Sequence, residues 1–212
     1  MFLEIELKLS ISPEAEHIKR LFDHPLLSSI EPVSEELISR YFDTAELSLK
    51  QHGFSLRIRE AQSRTIQTLK ADGIRKGDCY HRQEWDQPIA EKFPNLAAFT
   101  ENQLYQPLQA IVQQQPLIEL FETKVNRTQW NLPLENGTQI ELVLDQGVIR
   151  AATHSVPLNE LELELKQGDE AQIEKIAAEL KKTIPLTVEL RSKAQRGYAL
   201  YTKTRLGLVA PS

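Results

Sequence analysis

Leu3-Glu4-Ile5-Glu6-Leu7-Lys8-Leu9-Ser10 near the start of the chain and Asn159-Glu160-Leu161-Glu162-Leu163-Glu164-Leu165-Lys166 near its end decide the fold. Both alternate strictly between apolar and polar residues, the period-two signature of a strand with two different faces. Successive strand side chains point to opposite sides, so Glu4, Glu6 and Lys8 form one row and Leu3, Ile5, Leu7 and Leu9 the other. The second stretch aligns Glu160, Glu162 and Glu164 against three leucines. Taken singly, such a strand is most often the solvated face of a half-buried sheet. Exposed strands ordinarily mix Thr, Ser, Lys and Glu, however, and carboxylates two residues apart on one face repel unless a cation lies between them. Two Glu-x-Glu rows therefore ask for a metal ion. Carboxylate ligands without a His or Cys cluster favour a hard ion, Mg²⁺ or Mn²⁺, over zinc.

The same parity places Arg57 and Arg59 together, with Phe54, Leu56 and Ile58 apart from them. Lys8, Arg57, Arg59, Lys70, Arg82 and Arg127 supply the positive charge a polyphosphate ligand needs, arginine through paired contacts to phosphate oxygens and lysine as a compact charge. The fold expected is α+β, an antiparallel eight-stranded β-barrel with a charged interior. Its outward-facing leucines and isoleucines must then be covered by helices, including those at the C-terminus.

Working outward from these strands, Ser12-Pro13-Glu14 reads as the N-cap and first turn of a short helix. Strands follow at Leu37 to Asp43, Phe54 to Ala61, Thr65 to Ala71 and Tyr80 to Asp86, with turns at Asp43-Thr44, His52-Gly53 and Asp72-Gly73. Pro88 to Gln115 turns helical, with Phe93, Leu96, Leu108 and Val112 among its expected buried positions. Strands resume at Leu117 to Leu132, Thr138 to Asp145, Val148 to Thr153 and Pro157 to Lys166, with Asn136-Gly137 and Gln146-Gly147 read as hairpin turns. Helices from about Asp169 to Thr183 and from about Ser192 to Lys203 end the chain.

With 212 residues the chain suffices for one well-buried domain. A net charge of −5 disfavours nucleic acid unless positive charge is locally concentrated. The single cysteine, Cys79, excludes an intrachain disulfide framework. His17, His24, His52, His81 and His154 show no ligand spacing. No stretch approaches the ~20 apolar residues that span a bilayer, and a cytoplasmic protein without membrane or nucleic-acid partners is expected.

Glu4-Ile5-Glu6-Leu7-Lys8 resembles the E-x-E-x-K signature of the CYTH domain, the triphosphate tunnel metalloenzyme superfamily. The resemblance continues through Tyr41-Phe42-Asp43-Thr44, Leu56-Arg57-Ile58-Arg59, Thr68-Leu69-Lys70, Leu144-Asp145-Gln146-Gly147, Glu160 to Glu164 and Ser192-Lys193-Ala194-Gln195-Arg196-Gly197-Tyr198. It is nearest to the bacterial inorganic triphosphatases, many of which carry a C-terminal CHAD domain associated with polyphosphate; the resemblance here stops short of one. It implies a domain over 1–205 with a tail at 206–212, and a metal-dependent hydrolysis of inorganic triphosphate. Thiamine triphosphate hydrolysis, adenylate cyclase activity and a non-catalytic polyphosphate- or nucleotide-binding module are the alternatives. Position by position, it implies that Glu4, Glu6, Glu162 and Glu164 hold metal and, with Lys8, carry catalysis. Lys8, Arg57, Arg59, Lys70, Arg127 and Lys193 would grip the triphosphate. Arg82, which the sheet's parity supplies, is expected among the substrate ligands; Glu84, Glu141, Asp145, Arg150, Glu160 and Arg196 match further tunnel positions, with Glu141, Asp145 and Glu160 as additional metal ligands and Arg150 and Arg196 as substrate ligands. For Lys193 and Arg196, an ordinary solvated helix face competes with a place at the tunnel mouth.

Overall fold

The computed structural model describes residues 2–62 and 64–208. Among them β1 (Phe2–Ile11), β2 (Val33–Asp43), β3 (Phe54–Ala61), β4 (Arg64–Ala71), β5 (Ile74–Lys76), β6 (Cys79–Pro88), β7 (Ile118–Pro133), β8 (Gln139–Ala151), β9 (His154–Gln167) and β10 (Leu186–Val188) form one antiparallel sheet. Its order is β10-β1-β9-β8-β7-β2-β3-β4-β6-β5, and β1 also pairs with β6. That pairing closes eight strands into a barrel and leaves β5 and β10 as appendages. The register sets Lys8 opposite Glu162 and Glu6 opposite Glu164, with Glu4 opposite Arg82 on the other neighbour.

The barrel is inverted, as the alternating strands require. Leu7, Leu9, Leu142, Leu161 and Leu163 face outward, where α1 (Ala15–Phe22) and α4 (Ala171–Lys181) cover them with Leu21, Ile173, Ala177 and Leu180. On the opposite flank Phe42, Leu56, Ile58 and Leu69 are covered by a 3-10 helix (Leu96–Asn102) and α3 (Tyr105–Val112), with Leu49 of α2 (Ser48–Gln51) beside them. Each fully buried leucine contributes about 1.5–3 kcal/mol, so stability resides in this outer shell while the lumen is free for chemistry.

The last helix, α5 (Lys193–Arg205), departs from expectation. Instead of covering outward leucines, its Ala194, Tyr198 and Leu200 pack against Phe121, Val125, Ile149 and Leu158. Those strand residues share the phase of Arg127, Asp145 and Glu160, so α5 lies on the charge-bearing face, beyond the charges. An added Cβ on Gly197 would stand 2.0 Å from the Phe121 ring, so only glycine lets the helix approach this closely.

Three further readings are corrected. Gln146-Gly147 is no turn: β8 runs through it, with Gly147 opposite Val125 and Leu158, and a Cβ there would meet the Lys124 carbonyl oxygen at 2.0 Å. The reversal comes at Ala152, which adopts φ +49°. α1 starts at Ala15, Ser12 only accepting from the Glu14 amide at 3.3 Å. Phe93 is exposed, while Leu96, Leu108 and Val112 are buried. The short β5, β10 and α2 had no legible signal. Residues 209–212 of the expected tail lie outside the described residues. No helix among the described residues is long and apolar enough to cross a membrane.

Candidate active site

Inside the barrel is a cavity of about 180 Å³, lined by Glu4, Glu6, Lys8, Arg57, Arg59, Lys70, Arg82, Glu84, Arg127, Glu141, Glu162, Glu164 and Lys193 together with Asp86 and Lys166. A second chamber of about 170 Å³ shares Arg57, Arg59, Asp86, Arg127 and Glu141 and extends towards Glu35 and Arg64. The two form a tunnel whose shared wall is rich in guanidinium groups.

Most lumenal charges are paired. Lys8 bonds Glu6 and Glu162. Lys70 bonds Glu4 at 2.9 Å and Glu84 at 2.6 Å. Arg82 bonds Glu4 and reaches Glu6 at 2.7 Å. Arg127 grips Asp145 through two bonds of 2.8 and 2.6 Å. Burial raises the Glu4 and Glu162 carboxyls, but Lys70 and Arg82 around the first, and Lys193 and Lys8 around the second, outweigh it and hold both well below the usual range. Burial prevails at Glu84, Glu160 and Glu164, which are raised.

Two cations stand apart. The Nε of Arg57 is buried without a hydrogen-bond partner, its guanidinium 3.6 Å from Glu84. Arg59 donates to the Ser39 hydroxyl at 3.0 Å. Burial, with Arg57 and Arg127 adding repulsion, brings Arg59 down to about 9. Burial lowers Arg57, but Tyr41 and Glu84 overcome it and raise it, so the deficit falls on Arg59, and a guanidinium held uncompensated beside two others is a receptor for an anion.

The position of Lys193 follows from its helix start. Ser192 accepts from the Gln195 amide at 3.1 Å and Gln195 Oε1 accepts from the Ser192 amide at 2.8 Å, a capping box that makes Lys193 the first residue of α5. A cation there opposes the helix dipole. It is compensated by Asp145 at 2.7 Å, Glu160 at 2.5 Å and Glu162 at 3.2 Å. Burial lowers Lys193, but those three carboxylates overcome it and raise it above the ordinary lysine range. The solvated-face alternative for Lys193 is thereby corrected. Carboxylate oxygens of Asp145, Glu160 and Glu162 also lie within 4.8 Å of one another, an all-oxygen set of the kind a hard divalent ion takes, but the Lys193 ammonium already fills it. Glu6 lies beside that group, bridged to Glu162 by Lys8, while Glu4 stands further along β1, held by Lys70 and Arg82.

Not every expected residue converges. Arg150 is outside the tunnel, its side chain 56% exposed and 3.5 Å from Glu122. Ile149 and Ala151 take the inward phase, so strand parity sends Arg150 outward. Arg196 bonds Glu160 at 3.0 Å and the Pro157 carbonyl at 2.9 Å, behind the cavity wall. Asp145 and Glu160 sit behind Lys193. Asp86 and Lys166 went unnoticed although each extends a row already recognised, Asp86 two residues beyond Glu84 and Lys166 two beyond Glu164; Lys166 bridges Glu141 at 3.1 Å and Glu164 at 2.8 Å.

Residues 3–198 match the CYTH domain. An inorganic triphosphatase of Haemophilus influenzae is 31% identical over 206 residues, which are 96% of this chain and 56% of that protein. The chain thus spans little more than half the length of this curated relative. A Hippeastrum protein described as an adenylyl cyclase with a dominant triphosphatase activity has a similar structure, with TM-score 0.66 at 18% identity over 98% of both chains. A Bacillus halodurans protein bearing an adenylate cyclase name gives 0.57 at 20% identity, over 92% of this chain and 98% of that one. Those structures speak for the fold alone, whereas the domain match runs from the first charged strand through the start of α5: the chain belongs to the CYTH domain family.

Proposed function

We propose that the tunnel binds inorganic triphosphate and hydrolyses it to pyrophosphate and phosphate with the help of Mg²⁺ or Mn²⁺. The observation carrying this reading is Arg59, which has no carboxylate partner among the described residues and lies beside Arg57 with its unpartnered Nε in the wall common to both chambers, flanked by Lys8, Lys70 and Arg127. A linear polyanion threaded there would meet cations along its length. Similarity to the Haemophilus influenzae inorganic triphosphatase supports the choice of substrate.

The reaction needs little covalent chemistry from the protein. A triphosphate persists because its charge repels nucleophiles, so positioned cations supply most of the acceleration. Arg57, Arg59 and Arg127 would fix the phosphate chain, and Lys8 would stabilise charge developing on the phosphoryl oxygens. Glu84 or Glu164, with affinity for protons raised by burial, is suited to accept a proton from the attacking water. The divalent ion would be held by Glu162 with Glu4, Glu6, Glu164 and Glu141, which line the cavity, while Asp145 and Glu160 stay engaged by Lys193; bound, it supplies Lewis-acid polarisation of phosphoryl oxygens. Residues 1–205 would act as one unit, in a cytoplasm that keeps Cys79 reduced.

The test is incubation with tripolyphosphate, ATP and thiamine triphosphate, each with Mg²⁺, Mn²⁺ or EDTA, following phosphate and cyclic AMP together. Metal-dependent phosphate release from tripolyphosphate, well above the other two, is expected. Cyclic AMP from ATP would move the assignment to a cyclase, dominant thiamine triphosphate turnover would change the substrate, and silence throughout would leave a binding module.

A further inference from the structure

Among the described residues Tyr198 and Asp43 form the one deeply buried polar link between α5 and the β2–α2 corner, and the tunnel chemistry described above makes no use of it. Asp43 is fully buried, and its carboxylate accepts the amides of Thr44 at 2.7 Å, Leu49 at 2.8 Å and Lys50 at 3.0 Å. The Tyr198 hydroxyl donates to the same carboxylate at 3.0 Å. Asp43 is therefore immobilised by backbone before Tyr198 arrives, a fixed post and not an adaptable side chain. The Tyr198 ring meets Phe121 edge-on at 5.3 Å, and Phe121 stacks at 4.5 Å on Tyr41, which lines the cavity. With Gly197 pressed on the same ring, the helix is pinned in rotation by one contact and along its axis by the other.

Lys193 lies about a turn and a half away at the start of that helix. Its ammonium must meet three carboxylates within 3.2 Å, a geometry that tolerates little helix drift. We propose that the Tyr198–Asp43 hydrogen bond is a positioning device that holds α5 in register, so that Lys193 projects into the tunnel at the height of Glu162. The catalytic part of this inference rests on the tunnel being the triphosphate site; the positional part does not.

The experiment uses the full chain labelled with ¹⁵N-lysine and without ligand. A buried, ion-paired ammonium exchanges slowly enough to be seen, and the Lys193 signal is identified by its loss in Lys193→Arg. Tyr198→Phe keeps the ring and removes only the hydroxyl. It is expected to shift or broaden the Lys193 signal, to lower kcat/KM for tripolyphosphate by roughly tenfold to a hundredfold, the cost of an ångström-scale misplacement, and to lose most of that effect when combined with Lys193→Arg. Tyr201→Phe, on the same helix, is expected to leave the Lys193 signal in place. An unchanged Lys193 signal in folded Tyr198→Phe overturns the inference, as does a kinetic loss that is the same with Lys193 present or replaced. Should the wild-type protein not hydrolyse tripolyphosphate while the Lys193 signal still responds, the proposed function fails and the positioning stands.

Discussion

Replacing Arg59 by methionine should stabilise the ligand-free protein while crippling its response to triphosphate. At neutral pH the guanidinium is charged in both folded and unfolded chains. Its folded value, brought down to about 9 by burial and by Arg57 and Arg127, marks a penalty fully present below that pH and relieved only as pH rises beyond it. At 1.36 kcal/mol per tenfold change, that penalty is on the order of 5 kcal/mol. Water in the half-open chamber screens part of it, leaving about 2 kcal/mol. Losing the hydrogen bond to Ser39 takes back about 1 kcal/mol. The net gain of about 1 kcal/mol corresponds to a melting temperature about 2–4 °C higher for a domain of this size. Tripolyphosphate without metal, at ~100 times its Kd, should stabilise the wild-type protein by about 2.7 kcal/mol, and the variant by far less. Arg127→Met is the control with opposite sign: it strips two bonds from the fully buried Asp145 and should cost about 2–3 kcal/mol even with Lys193 still in place. Scanning fluorimetry of the three proteins, with and without tripolyphosphate, is sufficient. A lowered melting temperature for Arg59→Met, or a full tripolyphosphate shift in it, would refute the reasoning.

Other expectations follow from the same geometry. Glu162→Gln removes a carboxylate shared by Lys8, Arg127 and Lys193 and should cut turnover at least about a hundredfold. Its melting temperature should move only a few degrees, and near-normal turnover would exclude Glu162 from catalysis. Gly197→Ala drives a methyl group into Phe121 and should cost about 1–3 kcal/mol, read as an earlier urea midpoint. Cys79 is pushed up to about 11 by burial, with Glu174 and Glu170 adding to it. At pH 8 its reaction with a thiol reagent should be about a hundredfold slower than that of an ordinary cysteine. Because the folded chain holds that proton longer than the unfolded one, the wild-type protein should lose stability relative to Cys79→Ala as pH rises from about 9 towards 11, measurable by denaturant titration of both across that range. Leu163→Ala, on the outward face, should cost about 2–5 kcal/mol and leave Kd for tripolyphosphate unchanged.

The inverted barrel was legible because Glu4-Glu6-Lys8 and Glu160-Glu162-Glu164 repeat at period two, and a lumen needs nothing longer-ranged to declare itself. Parity also brought Arg57, Arg59, Lys70, Arg82 and Glu84 to one wall. It would have excluded Arg150, which only the family resemblance had supplied, had β8 been read as one strand running through Gly147 from Asp145. Glycine in a sequence signals freedom without saying whether a turn or a close approach uses it. The placement of α5 was illegible for a different reason. Its apolar residues fit equally well against either face of a sheet, and only the tertiary fit of Gly197 on Phe121 selects the inner one. The paired state of most lumenal charges was equally out of reach, since it depends on register between strands up to 154 residues apart, as in Lys8 and Glu162.

The closure of the barrel by β1 also has a kinetic consequence. β1 precedes the other nine strands and pairs with β6, β9 and β10, so two of its three partners are synthesised long after it. Until β9 arrives, Glu6 and Lys8 lack their neighbours on one side and the outward leucines of β1 lack part of their cover. Sequence-distant pairings of this kind make folding slow. The lumenal charges serve the nascent strand during that wait, because a segment alternating leucine with glutamate and lysine repels its own copies and resists the edge-to-edge association that an apolar first strand would invite.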